Sequence, residues 1–160
     1  MHACRTFTKI DTSNREAFNK LAAEIKNFFQ ETNEESDFDA CHEEWCNSFI
    51  VNLKKFNNYD ARYGHAQKVV NMAFKYLLCC DGAYNKQEVK EKFANCHMPL
   101  DKYTLLWFFS VEGDYYENWS HLNDEKYKEI QKAIRGKLET DILEKELYIW
   151  AEMSKHVIVL

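Results

Sequence analysis

Gly64-His65-Ala66-Gln67-Lys68-Val69-Val70-Asn71-Met72-Ala73-Phe74-Lys75-Tyr76-Leu77-Leu78-Cys79-Cys80 is the stretch whose reading decides the fold. From Val69 to Cys80 it is apolar on most sides, and a helix apolar all round usually lies at the centre of a core. Ala61 to Lys68 reads as a short connection with one Gly, which places Lys68 in the first turn of that helix. Asp81-Gly82 reads as its end.

Outward from this helix the pattern stays helical. Phe18, Leu21, Ala22, Ile25, Phe28 and Phe29 recur at helical spacing, so Ser13 is read as the cap of a helix ending near Gln30. Acidic, polar residues from Glu31 to Asp39 read as a loop. Phe38, Cys41, Trp45, Phe49, Leu53 and Phe56 form the stripe of a second helix, ended by Asn57-Asn58-Tyr59-Asp60. Beyond the central helix, a short charged helix is read from Lys86 to Phe93. Cys96-His97-Met98-Pro99 breaks the pattern, because Pro disfavours helix at the residue before it. Asp101 then caps a helix carrying Tyr103, Leu105, Leu106, Trp107 and Phe108. Glu112-Gly113-Asp114 reads as a turn. Asn123 or Asp124 starts a helix with Tyr127, Ile130, Ala133 and Ile134, interrupted or ended by Gly136. Thr140 to Met153 is the last helix, and His156 to Leu160 an apolar tail. The reading is an all-α, compact domain of about seven helices spanning residues 1–160.

Composition agrees with that reading. Four Gly and one Pro in 160 residues are too few for a turn-rich β protein. With 46% hydrophobic residues a real core is expected. No apolar run reaches the length of a membrane span, and the start of the chain lacks the apolar centre of a signal peptide, so no membrane partner and a cytoplasmic location are expected. The six Cys have no regular spacing and read as thiols of a reducing compartment. Cys41-His42-x3-Cys46 and Cys96-His97 lack the paired spacing of strong zinc motifs, so no metal or other cofactor is expected. Cys79 and Cys80 are read as core filling, as are Trp45, Trp107 and Trp119.

Charge is uneven along the chain. The net charge of −5 argues mildly against nucleic acid, yet residues 52–102 carry nine basic and five acidic side chains. A solvated helix face gives the same count. Two residues in this basic third stand out. A Lys at position 68 meets an unfavourable helix dipole, and burial also disfavours its charge. Both favour a neutral, nucleophilic amine able to form a Schiff base. The plain reading is a lysine whose ammonium reaches solvent from the helix end. Asp101, after Pro99-Leu100, is by itself an ordinary helix cap.

Taken in order, these segments resemble the helix-hairpin-helix DNA glycosylases, particularly the archaeal 8-oxoguanine DNA glycosylase group. Gly64-His65-Ala66-Gln67-Lys68-Val69-Val70-Asn71-Met72 resembles the hairpin and catalytic-lysine helix. Met98-Pro99-Leu100-Asp101 resembles the segment with the catalytic aspartate. Leu143-Glu144-Lys145-Glu146-Leu147-Tyr148-Ile149-Trp150 is similar to a late helix that supplies an acidic residue and a Trp to the base pocket. The resemblance covers residues 60–152; it departs where the hairpin has one Gly and where Glu146 stands in place of Asp. There is also similarity to bacterial and phage-borne helical proteins sharing Gly-x-Ala-Gln-Lys and Cys-His-x-Pro-Leu-Asp.

The resemblance implies excision of a modified, oxidised base from DNA, with lyase activity. Lys68 and Asp101 would be the catalytic pair. Glu146, Trp150, Met72 and His97 would form the base pocket. Gly64, His65 and Gln67 would hold a phosphate at the helix start. The rival expectation is a non-enzymatic module on the same scaffold, binding a modified nucleoside, a nucleotide or a protein in bacterial defence or phage counter-defence.

Overall fold

The computed structural model describes residues 15–30, 37–80, 87–112 and 118–156. The expected cap at Ser13, the turns at Asp81-Gly82 and Gly113-Asp114, Cys4 and the tail beyond His156 lie outside them. The described residues form seven α-helices: α1 (Glu16–Gln30), α2 (Phe38–Asn57), α3 (Tyr63–Cys79), α4 (Gln87–Ala94), α5 (Lys102–Glu112), α6 (Asp124–Leu138) and α7 (Ile142–His156). One 3-10 turn (Trp119–His121) precedes α6, and no strand occurs among the described residues. The chain is all-α, as its apolar periodicity predicts, and no described helix is long and apolar enough to cross a membrane.

The stripes explain the packing. α1 buries Ala17, Leu21, Ile25 and Phe28 at helical spacing. It packs on α2, which in turn packs on α3. Where the three meet, Phe28 lies edge-on to Phe38 and Trp45, and the Trp45 ring stacks on Phe74 at 5.4 Å. α5 and α7 form the other closely packed pair, and α3 also reaches α6.

Side-chain and backbone chemistry sets the helix ends. Asp37 starts α2 by accepting from the amides of Asp39 and Ala40. Asn58 ends it in the left-handed conformation (φ 47°), which Asn tolerates better than most residues. Asn123 caps α6 by accepting from the Lys126 amide.

Three expectations change. First, α3 begins at Tyr63 rather than near Lys68, because the Arg62 amide donates to His65 Nδ1 and the ring closes the first turn. Lys68 therefore sits in the second turn, away from the unpaired amides that give a helix start its positive character. Second, Cys79 and Cys80 are exposed thiols: α3 is central through Phe74 and then emerges, leaving Tyr76 half exposed. Third, α6 runs through Gly136, where the backbone stays helical and an added Cβ would meet nothing within 4 Å. It stops at Leu138, after which Glu139 and Asp141 take positive φ without Gly or Asn to signal it.

Gly64 is needed for close approach. A Cβ there would lie 2.0 Å from the Trp119 carbonyl oxygen. The 3-10 turn rests directly on the start of α3, and the Gly64 amide donates to the Leu122 carbonyl at 3.0 Å.

Between α4 and α5 the non-helical segment 96–101 runs through the interior, with Cys96, Met98 and Leu100 fully buried. Its backbone polar groups need partners. Two glutamines supply them. Gln131 accepts from the Met98 amide at 3.1 Å and donates to the Met98 carbonyl at 2.7 Å. Gln67 accepts from the Leu100 amide at 3.2 Å and donates to the Leu100 carbonyl at 2.9 Å. Each side-chain amide does for one residue what a neighbouring strand would do. Thr104 Oγ1 donates to the Pro99 carbonyl.

Candidate functional site

The segment so held ends at Asp101. Its Oδ1 caps α5 by accepting from the Tyr103 and Thr104 amides at 2.9 and 3.1 Å. Its Oδ2 faces the other way and accepts from Lys68 Nζ at 2.7 Å and Trp150 Nε1 at 3.1 Å. The Lys68 and Asp101 side chains are 11% and 14% exposed, so the pair is largely sheltered from water and its attraction is weakly screened. Burial pushes the Asp101 carboxyl up, but the Lys68 charge and hydrogen bond and the two amides outweigh it and hold the carboxyl below its ordinary value. α3, the segment before α5, and α7 thus converge on one carboxylate oxygen.

A second pair lies beside it. Lys68 and Lys75 are seven residues apart on α3 and Met72 lies between them, so the three share one stripe. Lys75 Nζ is 2.5 Å from Glu146 Oε2 on α7, and its charge lies 5.9 Å from the centre of the Trp150 ring. Glu146 and Trp150 are four apart on α7 and share a face. Tyr103 packs edge-on to Trp150 at 5.2 Å. Glu146 is fully buried, and beyond the Lys75 ion pair neither carboxylate oxygen has a well-aligned hydrogen bond among the described residues. Burial raises the Glu146 carboxyl above its ordinary value, with Lys75 opposing.

The structure therefore brings together Lys68, Asp101, Glu146 and Trp150, and Met72 sits half-buried on the same stripe of α3. It adds Lys75 and Tyr103, which sequence reasoning missed. The seven-residue spacing of the two lysines was a usable signal for Lys75.

His97 lies elsewhere. Its Nδ1 meets the Tyr127 hydroxyl and its Nε2 meets Asp39, each at 2.8 Å. It lines a separate groove of about 420 Å³ with His42, Tyr63, Tyr127 and Gln131.

The three residues assigned to a phosphate are not presented to one. The Gly64 amide is bonded to Leu122, the Gln67 side chain is buried in its clamp, and the His65 amide donates to the Arg62 carbonyl. The His65 ring lies edge-on to Trp119. Gln131 is likewise engaged, as the Met98 clamp. The basic middle third is also partly spent, because Lys54, Lys68 and Lys75 pair with Asp60, Asp101 and Glu146.

Cys41, His42 and Cys46 do not form a metal cage: His42 Nε2 is 3.0 Å from Asn71 Oδ1, and no group of three or more candidate ligands is placed to hold a metal among the described residues. Comparison with known protein families, curated proteins and solved structures returns no match.

Proposed function

We propose that the chain is a DNA glycosylase-like protein that removes a modified base through a lysine Schiff base. The observation that carries this reading is the sheltered Lys68–Asp101 contact of 2.7 Å, made between residues 33 apart and shared by the indole N–H of Trp150.

An amine and a carboxylate in contact supply what the chemistry needs. Lys68, once its ammonium proton is lost to solvent, attacks the sugar anomeric carbon as the free amine, forming the C–N bond as the glycosidic bond breaks, while Asp101 stays ionised. The base leaves with the bonding electron pair and takes up the proton that the newly bonded lysine nitrogen sheds. As positive charge develops on the sugar, the carboxylate of Asp101 stabilises it. The aminal nitrogen then opens the sugar ring, O4′ taking up a proton, to give the protonated imine; loss of a C2′ proton forms the C2′–C3′ double bond and expels the 3′ phosphate. Trp150 and Met72, both half-buried, offer faces for a base flipped from the stack, whereas Glu146 is fully enclosed and paired with Lys75.

Borohydride trapping on DNA with oxidised bases tests this. A covalent adduct lost in Lys68→Ala supports it. Absence of any adduct across a panel of lesions, together with absence of DNA binding, refutes it. One observation favours the rival, a nucleoside-, nucleotide- or protein-binding module without catalysis: the amides of Gly64 and His65 are already bonded within the fold. Binding of a modified nucleoside without trapping is the outcome that selects it.

A further inference from the structure

The groove lined by His97 is joined to Asp101 by a chain of buried hydrogen bonds whose direction chemistry fixes. At one end Gln67 Nε2 faces the carbonyls of Gly64 and Leu100, so it donates and its Oε1 accepts. Asn71 Nδ2 therefore donates to Gln67 Oε1 at 3.1 Å, and Asn71 Oδ1 accepts from His42 Nε2 at 3.0 Å. The second Asn71 hydrogen points to the Tyr127 oxygen at 2.8 Å. At the other end Asp39, held by Arg135 at 2.6 and 2.7 Å, is an acceptor, so His97 Nε2 carries a hydrogen and donates to it. With a neutral ring, His97 Nδ1 accepts from the Tyr127 hydroxyl. Asn71 Nδ2 also lies 3.3 Å from the Met98 carbonyl, which already accepts from Gln131 at 2.7 Å, so its two hydrogens go to the closer Gln67 and Tyr127 oxygens.

A proton added to His97 breaks this arrangement. Nδ1 becomes a donor, so the Tyr127 oxygen receives from both His97 and Asn71. The hydroxyl hydrogen must turn toward His42 Nε2 at 3.2 Å, which already carries one. Either His42 changes tautomer and stops donating to Asn71, or Asn71 turns. The first strips Asn71 Oδ1 of its donor and the second takes Asn71 Nδ2 from Gln67 Oε1, so each loosens the residue that orients Gln67, which holds the residue before Asp101.

We propose that Asn71 and Tyr127 are positioning residues for Asp101, and that the protonation of His97 is transmitted through them to the Lys68–Asp101 pair. Asn71, Tyr127 and His42 are each 1% exposed or less, so no water competes inside the chain. Asp39 and His42 of α2 and Arg135 and Tyr127 of α6 face His97. Burial moves its proton uptake below the ordinary value of 6.5, with the Asp39 hydrogen bond opposing, so the transition falls on the acid side of neutral. The proposal bears on activity only through the reading of Lys68 and Asp101 as the reacting pair, so its deciding readout is not activity.

The readout is the ¹⁵Nζ–H signal of Lys68 in the full chain, assigned by its loss in Lys68→Arg, with the His97 ring signal followed in parallel. In the unmodified chain, lowering pH from about 7.5 through the His97 transition shifts the Lys68 signal in step with His97. His97→Gln abolishes that shift. Tyr127→Phe keeps the ring but removes the hydroxyl, and moves the Lys68 signal already at pH 7.5; Asn71→Ser does the same by a second route. A Lys68 signal that ignores the His97 titration, or stays in place in these variants while only thermal stability falls, overturns the proposal. If the signal moves as expected but no DNA adduct is ever trapped, the glycosylase reading fails and the coupling stands. If adducts form, Tyr127→Phe slows trapping on the order of 10- to 100-fold with DNA affinity unchanged.

Discussion

Gly64→Ala tests whether the 3-10 turn is packed against α3 as closely as described. In most helices this exchange stabilises, by about 1 kcal/mol, because Ala has the higher helix propensity. Here the new methyl would lie 2.0 Å from the Trp119 carbonyl oxygen and 3.1 Å from two carbonyl carbons. All three are backbone atoms, so no side chain can rotate away and residues 119–122 must shift. Overpacking costs about 1–3 kcal/mol, and weakening the Gly64 amide bond to Leu122 adds about 0.5–1.5 kcal/mol. Against the propensity gain, a net loss of about 0.5–3.5 kcal/mol is expected. At about 3 °C per kcal/mol for a chain of this size, Tm falls by roughly 2–10 °C. Gly136→Ala is the internal control, because α6 continues through it and the site is open. It should gain about 0.5–1 kcal/mol and raise Tm by about 2–3 °C. Calorimetry or thermal circular dichroism on both variants reads the difference. A Gly64→Ala protein as stable as the parent, or more so, would refute the close approach and the register of the turn on α3.

Lys75→Met leaves the fully buried Glu146 without a counter-ion and should cost about 3–5 kcal/mol at neutral pH by denaturant unfolding. Because burial raises the Glu146 carboxyl above its ordinary 4.5, the folded state holds more protons there, so this contribution weakens as pH rises and the deficit of Lys75→Met shrinks on acidification. A deficit independent of pH would count against it. Lys68→Met should cost about 1–3 kcal/mol, less than Asp101→Ala at about 3–5 kcal/mol. The first leaves Asp101 bonded to Trp150, Tyr103 and Thr104, whereas the second removes the α5 cap and strands Lys68 together. The reverse order would refute this partition. The Asp39 carboxyl is held well below its ordinary 3.8 by hydrogen bonds from His97 and Arg135, so its contribution is present above that value and lost as pH falls through the lower folded one. Asp39 is half exposed, so Asp39→Asn should cost only about 1 kcal/mol at neutral pH, but it should flatten the acid limb of stability below pH about 4. Identical acid limbs in parent and variant would exclude the assignment.

What could be read from the sequence followed local rules. The stripes of α1 and α2 and the caps at Asp101 and Asn123 depend on residues within a few positions of one another, and the structure has them. The start of α3 was misplaced because its signal is an Arg backbone amide and a His ring, not a Ser, Thr or Asp cap. Glu146 and Trp150 were legible as a helix face, and their meeting with Lys68 and Asp101 came only from resemblance. Lys75 escaped because a lysine on an apolar helix is ordinarily solvated, and only a carboxylate 71 residues away makes it otherwise.

Gln67, Asn71 and Gln131 were the least legible, because each serves a partner distant in the chain. They also explain how the fold makes its site. A non-helical segment crosses the core where water cannot satisfy its backbone, so its path is fixed by side chains that bond it at two residues. Those bonds hold Met98 and Leu100, and Asp101 follows directly. Its carboxylate must then cap α5 with one oxygen and present the other to Lys68 and Trp150. A polar centre is a costly way to build a helical core if stability is the only requirement, since apolar replacements of similar shape are often as stable. Its return here is a carboxylate whose direction is set by three elements at once, and a hydrogen-bond chain that ends at a titratable ring beside an open groove.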